Sequence, residues 1–427
     1  ILFILVISTA PSFALQSTTK SLIKANSKEI IDEVWQIVYR DYLDSSGSYN
    51  PKKWILLRKK LLSAKYSNSQ DSYIAIKDML SKLNDPYTRF LNPSEFKEMR
   101  IDTSGQLMGV GIQISLDKET DNLVVVSPIE GTPAFKAGIK PKDVIVSIDG
   151  NKTKGLSIEK AVKLIRGERG TSVTLGVLRN SRLIKFRLIR ERIEINTVKS
   201  FVNKTQNGIN IGYIRLKQFN ANAAKEMTNS IRSLESQNTL GYVLDLRGNP
   251  GGLLESSIEI ARLLIHNGII VSTQTRDGIN DVRLANGTSL TNKPIAVLVN
   301  EGSASASEIL SGAIRDNGRG FLVGKTTFGK GLVQSVRSLS DGSGLTVTVA
   351  KYLTPKGIDI NKNGLKPDIE AFISRSDALR LTSQDLGTLK DTQYVVAETE
   401  LVRKISQSMN KSSYLPNTSN LIHALKY

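Results

Sequence analysis

The chain has 427 residues, enough for several domains with real cores, and no cysteine, which excludes disulfides, thiolate nucleophiles and sulfur-ligated zinc. With 40% hydrophobic and 6% aromatic residues it is a folded chain rather than a disordered one. An excess of 58 Lys and Arg over 40 Asp and Glu, net +18, favours anionic partners, while only two histidines leave little for a Ser-His-Asp triad or a multi-histidine metal site.

Residues 1–14, ILFILVISTAPSFA, are apolar but too short to span a bilayer, and Ser12-Phe13-Ala14 has the small-x-small pattern of a signal peptidase site. They read as a signal-peptide remnant, and the protein as exported to a periplasm or thylakoid lumen; the competing reading is a buried N-terminal helix or a retained anchor. From 15 to 100, apolar residues recur at three and four spacing, as in EIIDEVWQIVYRDYL and SYIAIKDMLSKL, predicting a helical region broken at Asn84-Asp85-Pro86. Residues 101–193 change to short β-rich runs, GVGIQIS, NLVVVSPI, DVIVSIDG, SVTLGVLR and LIKFRLIR, with one helix, SIEKAVKLIRG. Five strands and a helix describe a compact β module. Residues 194–373 alternate strand and helix: NIGYIRL, ANAAKEMTNSIRSLES, GYVLDLRG, LLESSIEIARLLIHN, PIAVLVN and SASEILSGAIRD. This pattern predicts βαβ crossovers around a largely parallel sheet buried on both faces. From 374 to 427 the chain is polar and helical in tendency, a cap or peripheral bundle.

In such sheets ligands bind where strands end and helices begin, here at DLRGNPGGLL and VNEGSASASE. Nucleotide motifs fail. Gly324-Lys325-Thr326 ends like a phosphate loop but has Arg319 in place of its first glycine, and Gly109-Val110-Gly111 has Ile114 where a dinucleotide fingerprint needs its third. His266 and His423 lack metal-spaced partners and read as surface residues, so no metal and no cofactor is expected.

Ser305-Ala306-Ser307-Glu308 has the spacing of a helix capping box. Ser305 is therefore either a simple N-cap or a nucleophile placed where helix N–H groups stabilise an oxyanion, with Ser303 and Ser307 as alternatives. A serine without histidine needs another base. Lys330 suits that role, because Gly329 and Gly331 allow close backbone approach, and Phe328 and Leu332 supply apolar surroundings that disfavour its charge. The competing reading is a solvated loop lysine.

NEGSASASEILSGAIRDNGRG and FLVGKTTFGKGLVQS, with DLRGNPGGLLESS upstream and YLTPKGIDINKNGLKPDI downstream, resemble the carboxyl-terminal processing (tail-specific) proteases. The resemblance implies an α/β multidomain fold: a crotonase-like serine protease core with an inserted β-rich PDZ domain and helical regions at both ends. It implies Ser305 as nucleophile, Lys330 as base and Gln334 as the residue that orients the lysine amine. It adds Asp316 as an acidic participant, although a helix-end Asp in solvent is the simpler reading, and the Gly251 and Ala306 N–H groups as oxyanion donors. The β module becomes the PDZ domain, with Gly109, Val110, Gly111 and Ile112 as the carboxylate-binding loop. Arg166 is its contact with the core, or otherwise an ordinary helix-end cation. WQIVYRDYLD, WILLRKKLL and DPYTRFLNPSEF resemble the plant and cyanobacterial branch that trims the photosystem II reaction-centre precursor.

The expected function is that of an exported serine endopeptidase acting on proteins with a free C-terminal tail; the alternative is a non-catalytic PDZ scaffold. Residues 136–192 hold 15 Lys and Arg against 5 Asp and Glu, so most of the +18 lies on the tail-binding module. That placement suits carboxylate-ended tails or peripheral contact with an anionic membrane rather than nucleic acid, for which no reading motif is present.

Overall fold

The computed structural model describes residues 27–413 apart from 118–119, 195, 279, 375–379 and 383; the signal segment and His423 lie outside the described residues. Six strands form the central sheet in the spatial order Val198–Lys204, Asn210–Leu216, Gly241–Asp245, Ile295–Val299, Gly320–Gly324, Ile369–Glu370. Every neighbouring pair is parallel except the first. Alternate residues of each strand face opposite layers. Ile214, Leu244 and Val297 pack against the crossover helices Ala223–Glu235, Leu254–Leu264 and Ala306–Asp316. Tyr213, Val243 and Leu298 face the other way, where Tyr394, Ala397, Leu401 and Ile405 of the helix Thr392–Ser413 cover them. Of the two expectations for the C-terminal region, a cap or a peripheral bundle, the structure shows the cap: one narrow apolar stripe in a polar helix closes the second face of the sheet.

A second sheet was absent from the strand and helix rhythm. Arg89–Leu91, Gly344–Leu353, Ile269–Thr275 and Asn280–Leu284 are neighbours in it, and Leu332–Ser338 pairs with Gly344–Leu353. All of its pairings are antiparallel. Several of its strands are partly exposed and polar, so they lack the continuous apolar runs that mark the parallel strands. Through Arg89–Leu91 the N-terminal helices are stitched to this sheet, and their core of Val34, Val38, Ile76 and Met79 is continuous with Leu345 and Val347.

The β module forms a sheet in the order Ile112–Leu116, Leu123–Pro128, Val144–Ile148, Ser172–Arg179, Arg182–Ile189, with Asn151–Lys152 paired to the third strand, so six strands rather than five. Its helix Ile158–Ile165 buries Ala161 and Ile165 in the module core. The ribbon Gln106–Gly109 with Glu191–Glu194 joins the ends of the insertion.

Candidate active site

The strand Ile295–Val299 ends in a turn that leads directly into the helix Ala306–Asp316, and Ser305 sits at its N-cap with φ 56° and ψ −114°. That conformation is rare for any residue with a side chain and is strained by roughly 1–3 kcal/mol, the kind of geometry that fixes a functional side chain. The three serines separate here. Ser303 Oγ donates to the Leu246 carbonyl at 2.8 Å and Ser307 Oγ to the Asn249 carbonyl at 2.8 Å, both fully buried. Their hydroxyls hold the turn together, whereas half-buried Ser305 lines a cavity of about 580 Å³.

Ala306, Gly252, Lys330, Gln334 and Tyr87 line the same cavity. Lys330 comes from the second sheet, just before Leu332–Ser338. Its amine makes no hydrogen bond to Ser305; Nζ lies over the Tyr87 ring, 4.6 Å from the centroid. Burial pushes the amine below its ordinary pKa, Arg89 adds to that, and Asp85 and Glu308 oppose it. The apolar wall is Leu332 rather than Phe328, which is 55% exposed. Gln334 Nε2 is buried without a hydrogen-bond partner among the described residues, and the Lys330 amine lies over Tyr87 rather than bonded to Gln334. Apo sites commonly leave such contacts long.

The oxyanion donors divide unevenly. Ala306 begins its helix, and its N–H has no partner among the described residues. Gly251, with φ +98°, packs so closely on the serine turn that a Cβ there would lie 2.7 Å from the Ala304 carbonyl oxygen. Its N–H, however, donates to Asn249 Oδ1 at 2.9 Å. The glycine-loop amide left free is that of Gly252, so Gly251 joins an oxyanion hole only if the Asn249 side chain turns away.

Asp316 lies outside the site. It ends the helix that Ser305 begins, so eleven residues at 1.5 Å each place it about 16 Å away. There it accepts from Arg315 Nε at 3.1 Å and the Lys356 N–H at 3.3 Å and borders a different cavity. Helix geometry, rather than sequence proximity, removes it.

Two buried residues that the motif reading did not single out for chemistry tie the Ser305 and Lys330 loops together. The Glu308 carboxylate accepts from the N–H groups of Ser305 at 2.9 Å, Gly329 at 2.8 Å and Lys330 at 2.9 Å, and from Thr327 Oγ1 at 2.5 Å. Tyr352 OH donates to the carbonyls of both Ser305 and Lys330, and burial holds its pKa far above the usual value, so it remains a donor. Glu308 was legible only as a cap; Tyr352 carried no local signal. Glu308→Gln replaces an acceptor oxygen with a donor facing N–H groups, and hydrogen bonds to charged groups contribute about 1.5–3 kcal/mol each. Steady-state kinetics on a tail peptide is expected to show kcat down by roughly ten- to a hundredfold with KM little changed; wild-type kcat would remove Glu308 from loop positioning.

On the β module, Gly109, Val110, Gly111, Ile112 and Arg166 line one groove beside Ile165. The Val110 carbonyl accepts from the Ala134 N–H and the Gly111 carbonyl from Ile129, while the N–H groups of Val110 and Gly111 have no partner among the described residues. Gly111 has φ +77°, and a Cβ there would lie 2.4 Å from Thr132 Cβ, so only glycine fits. Ile112–Leu116 is the edge strand beside this groove.

Residues 210–371 match the model of peptidase family S41, and residues 110–189 that of a PDZ domain. The carboxyl-terminal-processing protease of Synechocystis sp. is 43% identical over 356 residues, 83% of each chain. This chain belongs to the carboxyl-terminal-processing proteases. The chloroplastic carboxyl-terminal-processing peptidase 2 of Arabidopsis thaliana is 42% identical over 347 residues, covering 79% of this chain and 67% of its own. The solved photosystem II D1 C-terminal processing protease superposes with a TM-score of 0.54 at 38% identity, over 81% of this chain and 93% of that one. The protein is therefore a serine-type peptidase with a PDZ domain rather than a non-catalytic scaffold. As a carboxyl-terminal-processing protease it acts on protein substrates, and among the described residues no helix is long and apolar enough to cross a membrane.

Proposed function

We propose that this protease captures the free C-terminus of its substrate in the groove lined by Gly109, Val110, Gly111, Ile112 and Arg166 and cleaves the tail at Ser305. Neutral Lys330 takes the Ser305 hydroxyl proton as Oγ bonds to the scissile carbonyl carbon. The oxyanion is held by the Ala306 N–H together with a glycine-loop amide, Gly252 or a released Gly251. Lys330 then returns the proton to the leaving amine as the C–N bond breaks, and water resolves the acyl-enzyme by the same route. Gln334 orients the lysine amine once the lysine leaves Tyr87. The observation carrying this reading is that Ser305, Lys330 and the free Ala306 N–H, from two different sheets, meet in one cavity while the hydroxyls of Ser303 and Ser307 are engaged.

The names of its chloroplastic and cyanobacterial relatives support a periplasmic or thylakoid-lumen site of action and a photosystem II precursor as substrate, and the basic PDZ module supports peripheral contact with an anionic membrane. The test uses one protein substrate made with a free and with an amidated C-terminus. Mass spectrometry is expected to detect the C-terminal fragment mainly from the free form; equal cleavage of both would exclude carboxylate capture.

A further inference from the structure

The last two long strands of the PDZ domain, Ser172–Arg179 and Arg182–Ile189, form a hairpin across Asn180-Ser181, both at positive φ. Residues 172–190 contain Arg179, Arg182, Lys185, Arg187 and Arg190 and no carboxylate. Arg179 is tied to Asp143, and buried Arg190 donates to backbone carbonyls of the module. Arg182, Lys185 and Arg187 are exposed and form no ion pair among the described residues. Strand alternation puts Lys185 and Arg187 on one outward face with Leu183 and Ile189, 60% and 46% exposed. Leu183 stands directly opposite exposed Leu178 at the hairpin tip. Phe186 points inward to the core.

We propose that this hairpin face is a docking site for an anionic lipid surface, the two tip leucines entering the headgroup boundary while Lys185 and Arg187 on the face, and Arg182 beside the turn, meet lipid phosphates. It gives the peripheral membrane contact a place on the molecule, and its test is independent of cleavage. Charge complementarity selects the partner: unpaired cations interleaved with exposed leucines suit a negatively charged bilayer. A nucleic-acid groove would instead offer outward aromatic side chains for base stacking, which this face lacks. The sheet order sets the hairpin at the edge opposite Ile112–Leu116, so a docked module keeps its peptide groove open.

The experiment is sedimentation of the full chain with vesicles of phosphatidylcholine alone or mixed equally with phosphatidylglycerol. Binding is expected only to the anionic vesicles and weakens with added salt. Lys185→Glu/Arg187→Glu is expected to lower partitioning more than about a hundredfold, since it changes four charges at the surface. Leu183→Ser is expected to lower it severalfold, and both variants keep wild-type cleavage of a soluble tail peptide. As a control, Lys59→Glu/Lys60→Glu on the helix Pro51–Ser63 keeps vesicle binding. Equal binding to neutral vesicles, wild-type partitioning of the hairpin variants, or an equal loss in the control would overturn the assignment. Unchanged vesicle binding with lost binding to duplex DNA would give the face to nucleic acid instead.

Discussion

Lys330→Ala is expected to lower kcat by about 10⁴-fold or more on a tail peptide, at the upper end of what a positioned general base contributes. Ser305→Ala falls to the same floor, and the double variant falls no further, because a nucleophile and its base act as one unit and their losses do not add. The wild-type pH profile supplies the second half of the test. Lysine acts as a base only when neutral, and burial depresses its pKa, so kcat/KM rises with pH along a limb whose midpoint lies below the ordinary lysine value of about 10.4. Because the Lys330 amine rests over the Tyr87 ring, the proposed mechanism requires it to move toward Ser305. Single-turnover kinetics decides the matter: a Lys330→Ala enzyme within tenfold of wild type would mean another group takes the serine proton.

The second large effect lies beneath the glycine loop. Arg247 is buried between Asp245, whose Oδ2 accepts at 2.7 Å, and Asp391, whose Oδ2 accepts at 2.6 Å, and Gln393 accepts from it at 2.9 Å. This network joins the strand Gly241–Asp245 to the start of the helix Thr392–Ser413, and the chain leaves Arg247 directly for Asn249, Gly251 and Gly252. Removing one partner of a buried ion pair costs about 3–5 kcal/mol, because the other charges stay desolvated. Arg247→Met, which keeps most of the volume, is expected to lose that much stability in urea denaturation at neutral pH, with the slope unchanged. Asp245 is fully buried; burial alone would raise its pKa, but Arg247, Arg215 and Tyr213 hold it below the usual carboxylate value. Its contribution is therefore present above the unfolded value near pH 4 and is lost as pH falls through the lower folded one. In the Met variant Asp245 lacks that partner and gains by protonation, so the deficit shrinks as pH falls toward and below about pH 4. A deficit under about 1 kcal/mol at neutral pH would show that the network adds specificity but little stability.

The parallel strands were legible because burial on both faces demands continuous apolar runs, as in IAVLVN, and the crossover helices because of their 3.6-residue stripe. The second sheet was not. LVQSVRS is polar and partly exposed, and its pairing with Gly344–Leu353 is a long-range contact that leaves no local period. The PDZ insertion was readable from strand-sized runs divided by turns, although the short Asn151–Lys152 strand fell below any pattern.

Short-range chemistry was available to the sequence alone: a strand-to-helix turn crowded with small residues, a lysine between glycines, a scarcity of histidine and a basic insertion. Each depends on residue type and spacing along a few neighbouring positions. Which of three serines faces the cavity, which glycine amide is free, where the lysine amine rests and whether Asp316 belongs were decided by tertiary structure. Those outcomes depend on hydrogen bonds and burial between segments far apart in the chain, such as Ser303 with Leu246, Tyr352 with Lys330 and Lys330 with Tyr87. A helix of eleven residues carries Asp316 away from Ser305, while the second sheet, packed against that same helix through Ile269–Thr275, brings Lys330 toward it.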